Sequence, residues 1–170
     1  TSQLLEKVIH ENFDTEIISV VQGSGKTIVT YLLENFRFGH VFFTGSVAVG
    51  RVIAEACGKQ LIPCTLELGG KSPAIVDASA KLDVASNRIA FGKWLNAGQT
   101  CVAPDYLLVE RSILDEFLSQ LKETIKDFYG DNPFQSPDYG RIINEAHFDR
   151  LVSYLKNEDV YFGGEYDRTS

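Results

Sequence analysis

The chain has 170 residues, 44% of them apolar and 23% charged, the balance of a folded core under a solvated surface. Its net charge of −7, with lysines such as Lys7, Lys26, Lys59, Lys71 and Lys93 scattered and not clustered, argues against a nucleic-acid or anionic-membrane role. No apolar run reaches the roughly 18–20 residues of a membrane span, and no basic-then-apolar leader opens the chain.

In chain order, Leu4, Leu5, Val8, Ile9 and Phe13 fall at helical spacing, which predicts a helix over 2–13. EIISVVQ (16–22) is rich in β-branched residues and reads as a buried strand. A short helix is predicted at 25–35, a strand at HVFFTG (40–45), and a helix at 46–60 with Ser46 as its N-cap. CTLEL (64–68) and PAIVD (73–77) read as further strands. This β-α-β-α-β alternation predicts right-handed crossovers and a parallel, Rossmann-like α/β sheet. Asp83 opens a helix that stops near Asn96 and Gly98, and YLLVE (106–110) is the next strand. Ser112 is then expected to cap a long amphipathic helix striped by Leu114, Phe117, Leu118, Leu121, Ile125 and Phe128. Residues 130–140 form a turn-rich link, 144–156 a last helix, and VYFGG (160–164) a last strand. The paired Gly69 and Gly70 interrupt the strand pattern, so the boundary between two parts is expected near Glu67–Gly70. The chain contains no methionine and starts inside a helical pattern; the expectation is an internal piece of a longer protein.

Four segments invite a chemical reading. QGSGKT (22–27) falls short of the phosphate loop G-x-x-x-x-G-K-[ST], because Val20 stands where the first glycine belongs. It reads as a flexible turn. In FFTGSVAVG (42–50) a strand runs through Gly45 into a helix. The free amides and partial positive charge of a helix N-terminus suit a phosphate; a plain strand-to-helix turn would look the same. TLELGGKSP (65–73) places Glu67 among apolar residues at a strand end. A carboxylate enclosed there is costly unless it has a partner or a task. General base is one reading and an ion pair with Lys71 the other. In NAGQTCVAPDY (96–106) the chain leaves a helix, turns at Cys101 and enters a strand. A loop thiol near free backbone amides is a candidate nucleophile, and the Cys101 N–H itself is a candidate oxyanion donor. Cys57 and Cys64 fit structural packing. Three cysteines without metal-type spacing point to reduced thiols of a cytoplasmic protein and to no metal. His10, His40 and His147 stand apart from any cysteine, which leaves a Cys–His hydrolase unsupported.

TLELGGKSP followed by GQTC, with FFTGSVAVG upstream, resembles the aldehyde dehydrogenase superfamily. GQTCVAPDY, IINEAHFDRL and YFGGEYD are similar to its class 3 and fatty aldehyde dehydrogenase branch. The resemblance implies an NAD(P)-dependent oxidation of an aldehyde to an acid through a cysteine thiohemiacetal and a thioester. It implies Cys101 as nucleophile and Glu67 as general base. It places Gly45, Ser46, Val47, Ala48, Val49, Gly50 and Leu68 beside NAD or NADP. Residues 1–66 would then be the later part of the NAD(P)-binding domain and 67–170 the first part of the catalytic domain. The family's oxyanion Asn and cofactor Lys would precede Thr1, and its Glu-x-Phe motif and oligomerisation arm would follow Ser170, so the isolated chain is expected to be inactive. The partners implied are a small aldehyde and, for the parent, a second copy in a homodimer, with the apolar Val47, Val52 and Ile53 of 46–59 near the contact. Membrane association would require an added tail. An acylating semialdehyde relative and a non-catalytic interaction module remain as alternative readings; Glu67 speaks against the first.

Overall fold

The structure, a computed structural model, describes residues 1–156 and 159–168. It divides into two compact units, Thr1–Leu68 and Gly69–Ser170.

The first unit contains α1 (Ser2–Asn12), α2 (Gly25–Asn35), β1 (Val41–Thr44), α3 (Val47–Gln60) and β2 (Cys64–Glu67). β1 and β2 run parallel, with Val41 opposite Cys64 and Thr44 opposite Glu67, and α3 is the crossover between them. α3 starts where the sequence places it: Ser46 Oγ accepts the Val49 N–H at 3.3 Å. Gly50, Ile53 and Cys57 recur at helical spacing on its buried side. Leu33, Ile53, Cys57 and Ile62 form the core, with Val29, Phe38, Val41, Phe43 and Leu66 packed around it. Ile53 is therefore a core residue and not part of a partner-facing stripe, whereas Val47 and Val52 stay exposed.

The strand expected at 16–22 does not form. Asp14 takes its amides first: Ile17 and Ile18 N–H both donate to the Asp14 carbonyl at 2.9 Å, and Glu16 N–H donates to Asp14 Oδ1 at 2.9 Å. The Val20 N–H goes to His10 Nε2 at 3.2 Å. β-branched side chains favour a pleated, half-buried surface, but an aspartate that captures the following amides offers the backbone a turn instead. Ile17 is left 79% exposed.

The second unit contains β3 (Ser72–Val76), α4 (Leu82–Trp94), β4 (Pro104–Val109), α5 (Leu114–Tyr129) and α6 (Glu145–Leu155). The α/β class with parallel strands holds, but not as one continuous sheet. β3 pairs in parallel with β4, giving two two-stranded sheets, β1-β2 and β3-β4. The register slips by one residue between Ser72 and Pro73, so Asp105 bulges out of β4. Lys71 Nζ meets the bulged Asp105 carboxylate at 2.9 Å.

Val76, Ala90, Phe117 and Leu121 form the second core, joined by Leu107, Val109, Ile125 and Phe128. α4 and α5 meet there through two buried hydroxyls. Ser86 Oγ donates to the Leu82 carbonyl at 2.8 Å, and Thr124 Oγ1 lies 3.3 Å from Ser86 Oγ. Ser112 does not cap α5. Its hydroxyl donates to Glu110 Oε1 at 2.7 Å, and the N-cap position falls to Ile113 without a side-chain bond. Glu110 competes successfully because it also accepts the Ala78 N–H at 2.8 Å. The Ser112 hydroxyl and then that amide hold its carboxyl below the usual carboxylate range. Nor is 160–164 a strand. Gly163 and Gly164 take φ of 77° and 90°, outside strand geometry, and Phe162 lies under the Lys122 ammonium at 5.0 Å.

Phe117 is 0% exposed and sits at the centre of the second core. Phe117→Ala is expected to cost about 3–5 kcal/mol, read as a lowered urea midpoint at unchanged slope. A midpoint within error of the parent would contradict this account of the core.

Candidate active site

The first unit brings two of the sequence-derived segments to the carboxyl ends of neighbouring parallel strands. β1 ends at Thr44, opposite Glu67 at the end of β2, and the Gly45 N–H extends the ladder by donating to the Glu67 carbonyl at 3.0 Å. In open parallel sheets this edge is where ligands bind. A Cβ on Gly45 would come within 2.5 Å of the tip of the Phe43 ring, so any larger residue here would have to displace that ring. α3 then begins with no acidic residue in its first turn. The first amides of a helix lack intrahelical acceptors. Ser46 Oγ takes the one at Val49, leaving those of Val47 and Ala48 for a ligand. Ser46, Val47, Ala48 and Val49 are exposed, while Gly50 is buried. A Cβ on Gly50 would lie 2.7 Å from Leu68 Cδ2, so the Leu68 side chain is seated on Gly50. The Gly45–Gly50 turn, Glu67 and Leu68 thus form one local cluster. An exposed helix N-terminus free of acids fits the phosphates of a dinucleotide.

Glu67 is exposed, and its carboxylate makes no hydrogen bond or ion pair among the described residues. This differs from a carboxylate enclosed at the end of a buried strand. The alternative partner, Lys71, is committed to Asp105.

In the second unit α4 delivers the chain to Cys101 through an unusual turn. Asn96, Ala97 and Gly98 take successive φ values of 54°, 52° and 77°. Left-handed backbone costs roughly 1–2 kcal/mol per residue that carries a Cβ, so Asn96 and Ala97 need compensation. Gln99 supplies it. Its Nε2 donates to the Asn96 carbonyl at 2.9 Å and to the Arg141 carbonyl at 3.0 Å, and its Oε1 accepts the Ile143 N–H at 2.9 Å. At about 1 kcal/mol net for each bond, one side chain offsets most of that cost. Arg141 anchors the far side, donating to the Tyr139 and Phe134 carbonyls at 2.8 and 3.0 Å. Two residues beyond Gln99, Cys101 is exposed and free, and the Ala103 N–H closes its turn on the Thr100 carbonyl at 3.2 Å. A Cβ on Gly70 would lie 3.0 Å from the Cys101 carbonyl oxygen, so glycine lets this strand lead press on the cysteine backbone.

Gln99 and Arg141 carry no assigned role in the sequence reading, and Gly70 is read there only as part of a boundary. The one available signal was Gln99 itself, a bulky amide in a loop of small residues. Cys57 is 1% exposed, and burial, then the neighbouring Cys64, pushes its thiol up. His10 and His40 bond to Val20 and Thr65, and His147 lies beside Arg150. Among the described residues no group of three or more His, Cys, Asp or Glu is arranged to hold a metal, and no helix is long and apolar enough to cross a membrane.

Comparison with known proteins agrees across the chain. The aldehyde dehydrogenase family profile matches residues 1–164. Aldehyde dehydrogenase family 3 member A2 of Mus musculus is 48% identical over 170 residues, which is 100% of this chain and 35% of that protein. The dimeric NADP-preferring aldehyde dehydrogenase of Rattus norvegicus is 48% identical over 169 residues, 99% of this chain and 37% of its own length. The solved substrate-bound state of Staphylococcus aureus AldH superposes with a TM-score of 0.89 at 46% identity, covering 98% of this chain and 36% of that one. The chain therefore spans about a third of the length of the curated relatives it matches.

Proposed function

Because the chain belongs to the aldehyde dehydrogenase family, we propose that the protein carrying it oxidises an aldehyde to a carboxylic acid with NAD or NADP. The carrying observation is the Gly45 N–H bond to the Glu67 carbonyl, which sets a carboxylate and an anion-binding helix start on adjacent strand ends. In this reading Cys101 and Glu67 are the catalytic pair. Gly45, Ser46, Val47, Ala48, Val49, Gly50 and Leu68 hold the dinucleotide. The division at Leu68/Gly69 supports residues 1–66 as the later part of a dinucleotide-binding domain and 67–170 as the first part of a catalytic domain.

Cys101 Sγ, as thiolate, bonds to the aldehyde carbon, and the Cys101 N–H donates to the oxygen that becomes negative. The contribution of the dinucleotide, when bound, is to accept the hydride that the adduct loses, which leaves a thioester on Cys101. Glu67 then removes a proton from water. The resulting hydroxide adds to the thioester, the C–S bond breaks, and the acid departs with Cys101 restored as thiolate. In this reading the end point is hydrolytic, and Glu67, whose side chain has no structural partner among the described residues, is the carboxylate free to serve it. The name of the rat relative supports a dimer for the whole protein, and the exposed Val47 and Val52 of α3 are apolar surface available to it.

The test is reduced-dinucleotide formation by the full-length protein with aliphatic and aromatic aldehydes. Acid and reduced dinucleotide should form in equal amounts. The 170-residue chain alone should turn over little or nothing. Iodoacetamide should inactivate the full-length protein with Cys101 modified ahead of Cys57, which is buried and whose raised thiol holds less thiolate at a given pH. Full inactivation with Cys101 unmodified would refute the assignment.

A further inference from the structure

We infer that Gln99 is the positioning residue for Cys101, a carboxamide clasp that fixes the nucleophile's loop to the segment Arg141–Ile143; this rests on the function proposed above. The observation is the full use of one side chain. Both Nε2 hydrogens are donated, one to its own loop at the Asn96 carbonyl and one across to the Arg141 carbonyl. Oε1 accepts the Ile143 N–H. Toward 141–143 the amide thus presents one donor and one acceptor to a carbonyl and an N–H two residues apart, the way a strand presents its backbone to a neighbour. The partners lie 42 and 44 residues further along the chain. The clasp is therefore tertiary, and not a local turn that any polar residue could make.

Three further contacts converge on the same loop. Asn96 Nδ2 donates to the Gln99 carbonyl at 3.3 Å, and the Gln99 N–H donates to the Asn96 carbonyl at 3.1 Å. A Cβ on Gly140 would lie 3.5 Å from the Asn96 carbonyl carbon and the Ala97 nitrogen, so the chain just before Arg141 packs directly on the left-handed turn. The backbone from Asn96 to Gln99 is thereby held on both sides. Cys101 follows two residues later on a short turn of its own, and the position of its sulfur is inherited from Gln99. A nucleophile must stand at about 3–3.5 Å from the carbon it attacks, and small misplacements cost rate steeply.

The chemistry of the clasp dictates the variants. Gln99→Glu keeps the shape but turns two donors into lone pairs facing the Asn96 and Arg141 carbonyls. Gln99→Met keeps the length and removes all three bonds. Two readouts are taken. Amide hydrogen exchange reports the loop, and it is expected to speed up about tenfold at the hydrogen-bonded amides of Gln99, Ala103 and Ile143 while the amides of α5 stay protected. Steady-state kinetics of the full-length enzyme, normalised to the sites that label at Cys101, report positioning. Turnover per site should fall roughly 10- to 100-fold with the KM for the dinucleotide unchanged. A role in folding alone would lower the number of sites and leave turnover per site untouched. Should the Gln99 variants fail to fold, Arg141→Ala removes the two side-chain bonds that hold the far side of the clasp to the Tyr139 and Phe134 carbonyls, at an exposed residue outside the catalytic machinery, with the same expected pattern.

Unchanged exchange at Gln99, Ala103 and Ile143 overturns the clasp. Faster exchange with unchanged turnover per site overturns the positioning role. Full activity in Cys101→Ala would instead refute the functional reading, a result distinct from normal Gln99 variants in an enzyme that Cys101→Ala silences.

Discussion

Cys101→Ala in the full-length protein is expected to lower aldehyde oxidation by on the order of 10⁴-fold or more, since removing a covalent nucleophile leaves only binding and electrostatic assistance. The fold of this 170-residue chain should hardly notice. Cys101 is exposed, its thiol fills no core space, and its tight contact with Gly70 is made through the backbone carbonyl, which alanine retains. Surface replacements of this kind stay within about ±0.5 kcal/mol. Loss of rate with an unshifted melting curve is therefore the expected pair of results. Cys57→Ala gives the opposite pair. That thiol is 1% exposed and packed with Ile53, Ile62 and Leu33, so its loss opens a void and lowers stability without touching the chemistry. An enzyme that survives Cys101→Ala but loses rate per folded molecule in Cys57→Ala would reverse the assignment of the two thiols.

The legible parts of the fold are those where local pattern and tertiary need agree. Ser46 before a helical run gave a cap that forms, because the run also buries Gly50, Ile53 and Cys57 against β1 and β2. The strand at 73–77 was legible as a strand but not in its pairing. Its partner is β4, reached only after α4, and which edge a short strand joins depends on contacts that periodicity does not encode. EIISVVQ failed for a specific reason: Asp14, just outside the β-branched run, takes the amides a ladder would need. VYFGG failed at its two glycines, whose positive φ takes the backbone out of extended geometry. Glu67 shows the limit at the site. The sequence placed it at the end of β2 but gave it an enclosed setting, and the structure leaves it exposed and without a partner among the described residues. Gln99 shows the converse limit. It lies inside the quoted motif, but its importance depends on Arg141 and Ile143, which no short window around Cys101 contains.

Glu67→Gln in the full-length protein separates the two halves of the proposed reaction. Removing a general base costs about 10²–10⁴-fold in the step it serves, and here that step is hydrolysis of the thioester. Formation of the thioester needs Cys101 and the dinucleotide but not the carboxylate. The first turnover should then release one reduced dinucleotide per Cys101 site in a rapid burst, while steady-state turnover falls by about 10²-fold or more. The substitution is clean because the two ends of Glu67 do different jobs. Its backbone carbonyl receives the Gly45 N–H at 3.0 Å and continues the β1–β2 ladder, so glutamine leaves the turn that precedes Ser46 and α3 intact. In this chain its side chain is exposed with no structural bond to break, so the stability of the 170-residue chain should be unchanged. A hydroxylamine trap that restores turnover in Glu67→Gln would identify the stalled species, since a strong nucleophile attacks a thioester without needing a base. Loss of the burst together with steady-state turnover would place Glu67 before the thioester and end its role as the hydrolytic base.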